Sequence, residues 1–143
     1  MTGLLDSASV SGSRDFDFLL RQGCLECGST WVPRDQAQRI VTSADYLLLL
    51  DWTEGRVALQ VPAKLFEYIR IGRPIMACTL QDSPAEKLLV RSGIPHAILH
   101  PNAAPGDNEE RLAAFLQRPP TVTESPAWFQ AQFTAEAQTR AVS

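Results

Sequence analysis

The segment VPAKLFEYIRIGRPIMA, residues 61–77, carries two hydrophobic patterns end to end. Pro62 suits a first helical turn, where its missing N–H has no intrahelical bond to lose. Leu65, Tyr68 and Ile69 then recur at helical spacing, and Gly72 supplies a stop. The run PIMACTL, residues 74–80, follows as an uncharged stretch of strand length. A helix that leads through a short turn into a buried strand predicts one step of a parallel β/α fold.

The flanking sequence repeats that step. RDQAQRIVTSAD (34–45) places Ala37, Ile40, Val41 and Ala44 on one helical face. YLLLL (46–50) is continuous and apolar, the pattern of a strand covered on both sides. Downstream, Ser83-Pro84-Ala85-Glu86 has capping-box spacing, with Ser83 accepting from a free N–H and Glu86 reaching back. Leu88, Leu89 and Gly93 complete that helix, and HAILH (96–100) reads as a third strand. PNAAPGDN (101–108) is a loop by composition, and NEERLAAFLQ (108–117) is a helix expected to bury Leu112, Phe115 and Leu116. RPPTVTESP breaks the chain before AWFQAQFTAEAQTRAV, a closing helix anchored by Trp128, Phe129 and Phe133.

This alternation predicts an α/β protein: a three-layer, Rossmann-like parallel sheet with helices on both faces. Residues 1–13 read as a flexible tail and residues 14–143 as one partial Rossmann-like domain. Sheets of this kind bind ligands outside the carboxyl ends of their strands. The loops expected there are DWTEGRVALQV (51–61), QDS (81–83) and PNAAPGDN. The first of them feeds the N-terminus of the 63–71 helix, where free N–H groups and the helix dipole favour an anion.

Composition excludes several function classes. A formal charge of −3 with scattered acids and bases gives no footprint for nucleic acid or an anionic membrane. No apolar run nears the ~20 residues of a bilayer span, and MTGLLDSASVSGS lacks the parts of a signal peptide, so the expected location is the cytoplasm. Cys24, Cys27 and Cys78 are an odd set without framework spacing, which predicts reduced thiols. A zinc site joining CLEC to His96 and His100 is disfavoured, because on a strand the two imidazoles would stand about 13 Å apart, four steps of ~3.3 Å. No metal and no cofactor are expected.

Taken together, SADYLLLLDW, VPAKLFEYIRIGRPIMA and SGIPHAILHPN resemble the C-terminal, donor-binding domain of GT-B-fold glycosyltransferases of the family 4 type. The phrases ADYLL, PAKLFEY and GRPIM follow the family's order, and the likeness spans roughly residues 23–142. It implies binding of a nucleotide-diphosphate sugar, with Glu67 accepting hydrogen bonds from the ribose hydroxyls as an ionised carboxylate can. It further implies that Val61, Pro62 and Ala63 bring backbone near the donor phosphates or sugar, and that Trp31 and Val32 lie near the base. Lys64 has no set role in the family and reads as an exposed i,i+3 partner of Glu67.

Two departures from the family pattern bear on activity. The glutamate that contacts the donor sugar falls on Leu59, with Glu54 the nearest acid, and residues 1–22 hold no strand, Gly turn and basic pair to clamp the diphosphate. With no acceptor domain in the sequence either, the chain is expected to be inactive alone and to need a separate acceptor-domain chain.

Two alternatives explain some of the same residues. Asp51, Thr79 and His100-Pro101 end three successive apolar runs, the order of the phosphorylatable Asp, Thr and Lys-Pro of a receiver domain, with His100 in place of the lysine. A non-catalytic interaction module is the other, in which an exposed sheet edge promotes homodimerisation.

Overall fold

The computed structural model describes residues 14–24, 32–51 and 60–133. The chain divides into two compact units, residues 1–41 and 42–143.

The first unit carries α1 (Arg14–Arg21) and most of α2 (Arg34–Ser43). The sequence reading assigned no element to residues 14–21. RDFDFLLR nevertheless has Asp15 and Asp17 in its first turn and Arg21 in its last, charges that complement the helix dipole. α2 forms where expected, but it buries no residue and Ile40 is exposed. Helical spacing reports a possible face and does not report whether anything covers it.

The second unit is a three-stranded parallel sheet in the order β1-β2-β3, built from β1 (Leu47–Asp51), β2 (Ile75–Thr79) and β3 (His96–Leu99). Leu47 pairs with Ile75 and Ile75 with His96, so the three strands start almost level. Helix α3 (Ala63–Ile71) connects β1 to β2, and α4 (Pro84–Ser92) connects β2 to β3. Two right-handed crossovers taken in the same direction put both helices on one face. That face holds the core: Leu47, Leu49, Ile75 and Ala77 from the sheet against Leu65 and Ile69 of α3 and Leu89 of α4, all nearly inaccessible. α5 (Asp107–Leu116) takes the other face, where Phe115 meets the ring of Tyr46 edge-on at 5.6 Å and the Tyr46 hydroxyl donates to Arg118 O. The α/β, Rossmann-like architecture with helices on both faces is therefore as expected, though small.

The expectation that YLLLL is covered on both sides is overturned. Leu47 and Leu49 are buried, whereas Leu48 is 38 % and Leu50 55 % exposed. Successive strand residues face opposite ways, and α5 lies over β3 and the start of β1 without reaching these two leucines. Leu116 is likewise exposed, not buried, because α5 turns only the Phe115 side fully inward.

α6 (Ala127–Phe133) closes the described chain. Phe129 sits among Phe66, Phe133 and Trp128, and the Arg91 guanidinium lies 4.1 Å above the Trp128 ring. The last helix thus docks on the outer side of α3 and α4. No described helix is long and apolar enough to cross a membrane.

Candidate functional site

The carboxyl ends of all three strands meet in one polar cluster. Asp51 ends β1 and Thr79 ends β2, and their register brings Thr79 Oγ1 to 3.2 Å from Asp51 Oδ2. An ionised carboxylate only accepts, so the Thr79 proton goes to Asp51. Ser83 Oγ lies 2.9 Å from Thr79 Oγ1, and with that proton committed it is Ser83 that donates to Thr79. Ser83 is also the N-cap of α4, accepting from the Glu86 N–H at 3.1 Å. Three hydrogen bonds therefore point the same way, from the α4 N-terminus through Ser83 and Thr79 to Asp51.

A second arm leaves from Glu86. Its Oε1 pairs with His100 Nε2 at 3.0 Å, and its Oε2 accepts from the Asp82 N–H. The capping box is thus modified: the glutamate reaches Asp82 N, while Ser83 N bonds Leu80 O. Asp82 takes a positive φ of 60° in this turn, a conformation that short polar residues tolerate best. His100 is fixed further by Asn108, which accepts from the His100 N–H and donates to its carbonyl. His96 bonds Ile94 O instead, so the two histidines serve separate partners, and no group of metal-binding side chains occurs among the described residues.

Burial raises the Asp51 carboxyl above its ordinary value of 3.8, and the Thr79 hydrogen bond works against that rise. A raised folded-state value means the protonated form is favoured on folding, so this group's stabilisation is present below 3.8 and is lost as pH rises through the folded value. Asp51→Asn, which keeps an acceptor for Thr79 without the charge, is expected to be more stable than the wild type at pH 7 and to lose that advantage as pH falls below 3.8. Urea unfolding across that range checks it, and a variant less stable at pH 7 would refute the sign.

The donor-site residues named from sequence fall at the head of α3. Pro62 is its N-cap and gives no side-chain cap, and of the first-turn N–H groups that of Leu65 bonds Pro62 O. Val61 and Pro62 are half-buried, while Ala63, Lys64 and Glu67 are exposed. The expected ion pair between Lys64 and Glu67 does not form. Val32 is half-buried just ahead of α2 in the first unit, and Trp31, Glu54 and Leu59 lie outside the described residues.

Sequence reasoning treated Ser83 and Glu86 only as a cap and missed that the same hydroxyl continues to Thr79. The signal was the four-residue spacing from the end of PIMACT to Ser83 across a polar turn. Comparison with protein-family models, curated proteins and solved structures finds no match for this chain.

Proposed function

We propose that this chain is the nucleotide-diphosphate-sugar-binding half of a GT-B-type glycosyltransferase, acting in the cytoplasm with a separate acceptor-domain chain and inactive alone. One observation carries the reading. The helix that holds PAKLFEY opens at the carboxyl-end edge of a parallel sheet, with no side chain among the described residues capping its N-terminus. Backbone N–H groups there suit a diphosphate, and Glu67, one turn further and exposed, suits a ribose diol. In a complete enzyme such preorganised donors stabilise the departing diphosphate.

Titration calorimetry with uridine, guanosine, adenosine and deoxythymidine diphosphates tests this. At least one is expected to bind, and Glu67→Ala is expected to weaken it by roughly tenfold, the scale of a lost charge-assisted hydrogen bond. No heat with any of the four at millimolar concentration overturns the reading.

A second reading, a receiver-like phosphoacceptor, is favoured by the 3.2 Å contact of Thr79 with Asp51 and by His100 at the third strand end. Acetyl phosphate with magnesium would then phosphorylate Asp51, giving an adduct that Asp51→Asn abolishes. A homodimer belongs with the interaction-module alternative and is read directly by sedimentation.

A further inference from the structure

β3 is an edge strand of the described sheet, and a groove of about 400 Å³ runs along it between α4 and α5. That volume lies within the range of small-molecule sites. Its floor is apolar, from Ala97, Ala114 and Phe115, and its rim carries Arg111, Arg118 and His96.

The rim charges are not balanced from within. Among the described residues Arg111 hydrogen-bonds only Ile98 O at 3.4 Å and His100 Nδ1 at 3.5 Å, two long contacts to neutral acceptors. Because a guanidinium only donates, His100 Nδ1 must accept, which leaves Nε2–H for Glu86. Glu86, the groove's one carboxylate, is engaged through both oxygens, with His100 and with Asp82 N, and forms no ion pair with either arginine. Arg118 has no acidic partner among the described residues. His96 Nδ1 is tied to Ile94 O, which leaves Nε2 without a partner among them. The backbone behind Arg118 is anchored by the Tyr46 hydroxyl on its carbonyl, so this end of the groove is held in place.

We propose that this groove binds a small phosphorylated ligand, with Arg111 and Arg118 holding the phosphate, His96 beside them and the ligand's apolar part lying over Ala97, Ala114 and Phe115. Guanidinium groups match phosphate oxygens in pairs, and their present weak contacts cost little to exchange. The site is independent of the proposed donor site at the head of α3.

The test uses the full-length, isotope-labelled chain and pyrophosphate as the probe. Amide shifts are expected in residues 96–99 and 111–118, and the double variant Arg111→Gln, Arg118→Gln is expected to weaken the titration by roughly tenfold or more, as when charge-assisted hydrogen bonds are removed. No shifts at millimolar probe, shifts confined to residues 61–67, or an unchanged titration in the double variant each overturn the proposal. Shifts confined to 61–67 would at the same time support the donor-site reading, so the two fail separately. If the double variant loses the wild-type pattern of folded amides, the wild-type shift map alone decides.

Discussion

Gly72→Ala is expected to destabilise the 42–143 unit by about 3 to 5 kcal/mol, at the upper end for a single added methyl group. Two independent causes act at one position. Gly72 ends α3 in the left-handed conformation, φ 77°, with its N–H bonded to Tyr68 O. A Cβ there would also sit 1.9 Å from Thr123 O, far inside contact distance of a backbone atom that cannot rotate away. The approach is close because Thr123 N donates to Gly72 O at 2.8 Å, pinning the 119–126 segment against the end of α3. Relief of the clash breaks that bond and lifts the segment that leads to α6. Gly93→Ala is the control: φ is 69°, but nothing lies within 4 Å of the added carbon. It should cost only about 1 to 2 kcal/mol, the conformational part alone. Equal denaturation midpoints for the two variants would refute the steric account.

Phe129→Ala is expected to cost about 3 to 5 kcal/mol, the range for a buried phenylalanine truncated to a methyl group. Phe129 is 1 % exposed, the largest fully buried side chain among the described residues, and its ring lies 5.0 Å from Phe133, 5.7 Å from Trp128 and 6.3 Å from Phe66. The loss falls first on the docking of α6, because the contacts Phe129 makes join that helix to α3. With Trp31 and Trp52 replaced by phenylalanine, Trp128 emission reports the docking, and in Phe129→Ala it should shift red at denaturant concentrations that leave the sheet intact. Phe129→Leu, which keeps most of the volume, should lose only about 1 to 2 kcal/mol. Trp128 emission that changes together with the far-ultraviolet signal in both variants would show that α6 is part of the core unfolding unit.

Much of the architecture was legible because it is written locally. Pro62 and Gly72 bound α3, Ser83 and Gly93 bound α4, β2 and β3 fall within PIMACTL and HAILH, and β1 overlaps YLLLL, starting one residue later and ending one residue beyond it, since caps and periodicity act over one or two turns. The miss at residues 14–21 has a local cause as well. RDFDFLLR spans barely two turns, too short for its spacing to stand out against a polar setting, and Phe18 and Leu19 end up exposed. The errors at Leu48, Leu50 and Leu116 are of another kind. An apolar residue identifies a face that could be buried, and only the placement of other elements determines which faces are.

The succession of strands along the chain and the ends of the helix that carries Glu67 were thus determined by the sequence itself, through short-range sterics and hydrogen bonding. Tertiary structure alone decided that Asp51 meets Thr79, 28 residues away, and that Glu86 meets His100, 14 residues away. It also turned one half of β1 toward the core and left the other half open, and it set Arg111 and Arg118 along β3 with neither paired to an acid among the described residues. Each of these depends on strand register and helix docking, which are fixed by the summed packing of the whole unit and leave no mark on any one stretch of chain.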